Sequence, residues 1–299
     1  WVDFLGADAL RYGAVENIWH QLSWLWSQPM IFAFAIPVLG IAGDIIPVSS
    51  GVSQRQYRIQ QIAIGAMGAL SFGAFAQPFF NPDVANQAVF VVMGILVLIP
   101  VLVFMGGLAD TSIRGNLSFS AHLVISVVGI LALLVAAAAS AFHVSGPAIG
   151  AIQEINDSWL DGLITWLRDV HGTVMATAVM EHALIASVIG VVAGLYYWSP
   201  KIFGHQLNRN AGTLSAITLL GGLVLSGGSN IINGILDEGD EVFNSSAYEG
   251  VWDTDAVEFF KIVGAIGSVL LLAGVGLVVL DLTISVILRK GNTENANDP

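Results

Sequence analysis

Seven apolar runs dominate the sequence, each close to the ~20 residues that an α-helix needs to cross the hydrocarbon of a bilayer. They cover roughly residues 29–48, 59–80, 86–107, 118–142, 171–198, 212–236 and 257–288. In lipid only helices and closed barrels satisfy their own backbone hydrogen bonds, and runs of this length select the helix. Charged residues make up 11% of the chain, against about 25% in soluble domains. The expected fold is therefore all-α, a polytopic transmembrane bundle of about seven spanning helices. It reads as a single membrane domain over 1–299, with an outer N-terminal segment at 1–28, the bundle at 29–288 and a cytoplasmic tail at 289–299. Trp1 opens the chain in place of Met, so processing or a fragment is expected, and the first 21 residues lack the pattern of a signal peptide. Between the fourth and fifth runs, Ile155, Trp159, Leu163 and Trp166 repeat at helical spacing, which suits a short interfacial helix over Ile152–Leu167 or an ordinary packed loop helix.

The net charge of -12 gains meaning once it is placed by side of the membrane. If the helices alternate, Arg55, Arg58, Arg114, Lys201, Arg209, Arg289 and Lys290 share one side, and the other holds only Arg11, Arg168 and Lys261. The excess of basic residues marks the cytoplasm, so the N-terminus is expected outside and the C-terminus inside. The setting is an energy-transducing membrane, read as a prokaryotic plasma membrane. Acidic residues separate oppositely, with Asp237, Glu238, Asp240, Glu241, Glu249, Asp253, Asp255 and Glu258 in one outer loop. Such a face can steer a basic protein such as a cytochrome c, and it equally suits a solvated loop kept off the basic side. Nothing points to nucleic acid. With no cysteine, neither a disulfide nor a thiolate metal site can form.

A few polar residues fall inside the runs. Glu181 and His182 read as mid-span, where ionisable groups usually face the bundle interior. They form a candidate intramembrane polar site: a proton relay, a metal site with His171, or an interior Glu and His satisfied by hydrogen bonds. His171 lies eleven residues from His182, about 16 Å along a straight helix, too far to share one metal. Asp44 and Asp281 are expected near the cytoplasmic ends within reach of water, and Asn230 and Asn233 to make helix-packing hydrogen bonds.

Several landmarks, in order, resemble subunit I of the haem-copper oxidases, the cytochrome c oxidase family. Trp24-Leu25-Trp26-Ser27-Gln28-Pro29-Met30-Ile31-Phe32 is similar to the family's W-F-F-G-H-P-E-V-Y. Ala66 to Phe80 resembles the segment ending W-A-H-H-M-F, and Ser112-Ile113-Arg114 matches its S-I-R. Tyr196-Tyr197-Trp198-Ser199-Pro200-Lys201-Ile202-Phe203-Gly204 is close to Y-Y-W-F-P-K-I-T-G, followed by Leu207-Asn208 and Gly212. Tyr248 and Trp252 sit where the last outer loop carries an aromatic pair. The resemblance runs from about Leu22 to Lys290 and implies the last seven of the family's twelve helices.

It also implies oxygen reduction at a haem facing a copper, and here the residues depart from the pattern. The three copper histidines would fall at Gln28, Gln77 and Pro78, and neither an amide nor a proline ring replaces imidazole. The tyrosine and glutamate positions of the same motif are Phe32 and Met30. The haem histidines would fall at Ala178 and Met180; a gap that moves one to His182 leaves Met180 at the other. The proton-delivering lysine falls at Phe104, and the arginines that clamp haem propionates fall at Asp240 and Glu241, carboxylates that repel such groups.

The expectation is a cytochrome c oxidase subunit I-like protein of a respiratory complex, with no haem or copper of its own, no catalysis of its own and a structural or assembly role beside other membrane subunits. Two alternatives stand: part of a working terminal oxidase, with haem and copper, that oxidises cytochrome c, reduces O2 and pumps protons; or an intramembrane proton or ion conductor using Glu181.

Overall fold

A computed structural model describes residues 15–71, 92–152, 175–236 and 254–287, with side chains at 32–71, 92–142, 178–236 and 255–287. Every regular element among them is a helix: α1 Val15–Ser50, α2 Tyr57–Leu70, α3 Leu98–Arg114, α4 Ala121–Ile152, α5 Met175–Phe203, α6 Arg209–Ile235 and α7 Thr254–Ile287. Among the described residues, six stretches are long and apolar enough to cross a membrane: Phe32–Ser50, Val92–Arg114, Ala121–Phe142, Ala178–Phe203, Arg209–Ile235 and Asp255–Ile287. The second expected span is described as the 14-residue α2 and Ser71. The chain is an integral membrane protein with an all-helical bundle fold. The Ile152–Leu167 segment beyond its first residue, the acidic loop 237–253, His171 and the tail from residue 288 lie outside the described residues.

Helix ends differ from the apolar runs where polar residues are compatible with helix. α1 begins at Val15, well before residue 29, because 15–28 contains neither glycine nor proline and repeats Ile18, Leu22 and Leu25 at helical spacing. The third span runs on from 107 to Arg114. Thr111 and Ser112 donate to Gly107 O and Leu108 O, both at 2.9 Å, so their hydroxyls stay satisfied inside the helix. Arg114 closes the last turn by donating to Asp110 O at 3.2 Å. α1 stops at Gly51, which adopts φ +66°. There Gly51 N donates to Val48 O and Val52 N to Pro47 O, which satisfies two carbonyls that the helix end orphans.

α5 lies at the centre and packs against α1, α4 and α6, while α7 lies outside and packs along α6. Small residues set these distances. A Cβ on Gly190 would come within 2.8 Å of Val38, so α5 and α1 meet almost backbone to side chain. The α6–α7 seam is tighter: a Cβ on Gly222 would reach Leu271 N at 2.7 Å, and one on Gly267 would reach Ser226 N at 2.3 Å. Close approach of this kind supplies dispersion contacts where lipid offers no hydrophobic drive. α7 turns Ile262, Val269, Leu272 and Leu280 outward, exposed in the bundle and suited to acyl chains. The connections after α1, α3 and α5 gather at one end, where Arg209 donates to Phe119 O at 2.8 Å and Asn116 N to Ser50 O at 3.1 Å. This is the basic end, carrying Arg55, Arg58, Arg114, Lys201 and Arg209.

Gly267→Leu has no room against the α6 backbone, so it should cost at least the 1–3 kcal/mol typical of an overpacked core, about the upper end. Thermal unfolding in detergent should show that loss, whereas Gly276→Leu, with open space at its Cβ, should leave the melting temperature unchanged.

Candidate functional site

Among the described residues, hydrogen-bonded polar groups tie α5, α6 and α7 together towards both ends of the bundle. At the basic end Asp281 of α7 is buried. Its Oδ2 accepts from the Tyr196 hydroxyl at 2.8 Å and from the Asn208 backbone N–H at 3.1 Å, and its Oδ1 from Ser285 at 3.4 Å. Asp281 was expected to reach water; the corner between α5 and α6 covers it instead. That corner is built by the stretch Tyr196–Gly212. Gly204 ends α5 at φ +76°, with its N–H on Pro200 O. Asn208 caps α6 by accepting from Asn210 N at 2.9 Å and Ala211 N at 3.4 Å. Tyr196 lies flat on Gly212, where a Cβ would come within 2.6 Å of the ring. Ser199 ties the two sides, donating to Tyr196 O at 3.0 Å and accepting from Leu207 N at 3.4 Å.

The second cluster sits in the opposite half of α5. Glu181 and His182 lie on the described part of α5, Met175–Phe203, in the half away from the α5–α6 corner. Glu181 accepts from Ser226 at one oxygen and from Asn230 Nδ2 at 2.6 Å at the other, and Ser226 meets Ser268 of α7 at 3.2 Å. The carboxyl group thus joins α5 to α6, and Ser226 carries the link on to α7. His182, 3% exposed, sets its Nδ1 2.8 Å from Ala178 O, a contact that needs the proton on Nδ1. Its ring is pressed against α6: a Cβ on Gly227 would lie 2.1 Å from Cε1 and 2.8 Å from Nε2. Asn230 makes the packing hydrogen bond expected of it, whereas the buried Asn233 Oδ1 finds no partner among the described residues. Among the described residues no group of three His, Asp or Glu side chains converges as a metal site.

The positions that the resemblance singles out are spread across this frame. Ala178 is fully buried, and Met180 points outward at 38% exposure. Phe32 and Phe104 are buried in the main apolar core, the Phe104 ring 3.5 Å from where a Gly43 Cβ would stand. Gln28 and Met30 lie in α1 with side chains outside the described set; Gln77, Pro78, Asp240 and Glu241 lie outside it altogether.

Comparison with known proteins decides the family. The family model described as cytochrome c and quinol oxidase polypeptide I matches residues 8–270. The chain belongs to that family. Cytochrome c oxidase subunit 1 of Alkalihalophilus pseudofirmus is 24% identical over 286 residues, covering 94% of this chain and 41% of that protein. The probable cytochrome c oxidase subunit 1 of Bradyrhizobium diazoefficiens is 23% identical over 284 residues, covering 93% and 39%. The heme-copper oxidase subunit I+III of Aeropyrum pernix is 24% identical over 210 residues, covering 68% and 23%. The chain therefore spans about two fifths, or less, of the length of these curated relatives.

At the two α5 positions that the resemblance marks for haem ligands, the residues present are Ala178 and Met180. Ala178 has no donor atom, Met180 is 38% exposed, and a Cβ on Gly227 would lie nearest Cε1 of the His182 ring, at similar distances from both ring nitrogens. The Tyr196–Asp281 and Glu181–Ser226–Ser268 links escape sequence reading. Their partners are 85, 45 and 42 residues apart, and no local spacing announces them.

Asp281→Ala leaves the Tyr196 hydroxyl and the Asn208 N–H without their acceptor, at about 1–3 kcal/mol for each orphaned group. Asp281→Asn keeps one acceptor oxygen and should lose less. Melting temperatures of the two variants in the same detergent should rank wild type, Asn, Ala.

Proposed function

We propose that this chain is a cytochrome c oxidase subunit I-like component of a respiratory membrane complex that carries no haem or copper of its own and serves as a structural or assembly subunit. The observation that carries the reading is the α5–α6 seam. Where the family is read to place haem ligands, α5 offers Ala178 and an outward Met180, and the next turn is bound directly to α6 through Glu181 and His182. Copper and proton-delivery positions point the same way, with Gln28, Gln77 and Pro78 for imidazoles and a buried Phe104 for the lysine. The α5–α6 corner keeps the family's Y-Y-W-x-P-K stretch, and its tyrosine holds α7 through Asp281. A residue set that secures helices while redox ligands are replaced fits a scaffold. Its partners are then other membrane subunits of the complex. A cytochrome c at the acidic outer face belongs to the same proposal, as does a bacterial plasma membrane with the basic end in the cytoplasm.

The chain purified from its native membrane should show no Soret absorption, and oxygen consumption by that membrane should be unchanged by His182→Ala. A porphyrin spectrum that His182→Ala abolishes would overturn the reading in favour of a working terminal oxidase. The hydrogen-bonded set Glu181, Ser226, Asn230 and Ser268 favours a second reading, an intramembrane proton or ion conductor. That reading requires flux in liposomes to drop in Glu181→Gln; the scaffold reading expects equal flux.

A further inference from the structure

At the basic end, α1, α2 and α3 meet around polar side chains that no family position involves. Gln60 of α2 is 2% exposed, and both its Oε1 and its Nε2 lack a hydrogen-bonding partner among the described residues. The amide lies against α3, where a Cβ on Gly107 would come within 2.4 Å of Nε2. Thr111, one turn further along α3 and fully buried, donates to Gly107 O and keeps its oxygen lone pairs. Ser49, near the end of α1, is buried too, and its Oγ has no partner among the described residues. α1 and α3 run side by side here: Gly43 meets Phe104 and, further on, Ser50 meets Gly115. That register brings Ser49 to the level of the last turns of α3, where Thr111 lies. Towards the middle of the bundle the junction is closed by apolar groups, Met67 two turns along the same face of α2 and Phe104 one turn back on α3, both fully buried.

The chemistry of these groups restricts what they can bind. The Gln60 amide both donates and accepts. A cation would meet only its oxygen and an anion only its nitrogen, and the buried polar groups at this end of α1, α2 and α3, two hydroxyls and the amide, are all neutral. A ligand that accepts from Nε2, donates to Oε1 and reaches the hydroxyls must be small, neutral and amphoteric. Water is the smallest such species, and buried polar groups without protein partners are its usual hosts.

We propose that the α1–α2–α3 junction is an internal hydration site, in which ordered water bridges the Gln60 amide to the hydroxyls of Thr111 and Ser49. The glycine at 107 is what lets the amide and its water lie against the α3 backbone. The site gives the basic end a polar interior that stops at the Phe104 layer. It goes beyond the scaffold reading and holds whether or not a haem binds elsewhere.

A high-resolution cryo-EM map of the full chain in lipid nanodiscs, together with melting of wild type and Gln60→Leu, tests the site. The wild-type map should show a solvent peak within hydrogen-bonding distance of the Gln60 amide. Gln60→Leu should lower the melting temperature, because water at the junction then loses its central partner. A wild-type map without that peak overturns the proposal. So does a Gln60→Leu chain as stable as wild type or more so, since removing an amide that holds no ligand relieves a desolvation penalty. If Gln60→Leu does not fold, the wild-type map alone decides.

Discussion

The buried carboxylate of Asp281 is the constraint on which the arrangement of the last three helices depends. One oxygen serves both a phenol from the end of α5 and a backbone N–H from the start of α6. α7 touches the bundle chiefly along α6, so this bond is what relates it to α5. In lipid the competing acceptor, water, is scarce, and a donor left without its carboxylate has no substitute. The corner that presents these donors is prepared by short-range chemistry: a left-handed glycine at 204, an asparagine cap at 208 and a glycine at 212 that lets the Tyr196 ring lie down.

The other half of the bundle is closed by a second carboxyl group. Glu181 joins α5 to α6 through Ser226 and Asn230, and Ser226 carries the link on to Ser268 of α7. His182 fills the neighbouring gap only because Gly227 has no side chain. Both residues lie next to the positions at which a family member would be expected to hold haem iron. Their geometry serves helix-to-helix contact. The frame is set by glycines, caps and one tyrosine–aspartate bond, whereas the chemistry depends on imidazoles at other positions.

Much of this was legible in the residues. The apolar runs announced the helices, and the Y-Y-W-S-P-K-I-F-G stretch pointed to the family. Some helices extend beyond the apolar runs where polar residues are compatible with helix. α1 includes Glu16, Asn17 and His20, and α3 continues through Thr111 and Ser112, whose hydroxyls return their hydrogen bonds to the preceding turn. Asp281, whose nearness to a span end suggested water, is covered instead by the α5–α6 corner.

The sequence by itself determined which segments enter lipid, the kinship with oxidase subunit I, and the absence of imidazole at the counted ligand positions. These follow from composition and from short motifs, which depend only on neighbours along the chain. The tertiary structure alone decided that Glu181, Ser226, Asn230 and Ser268 meet, that Asp281 receives Tyr196 and Asn208, and that Gln60 lies against Gly107 without a protein partner. Those pairings depend on the rotation and depth of each helix in the bundle. Rotation and depth come from which glycines let two backbones approach, a property of helix pairs that no single segment encodes.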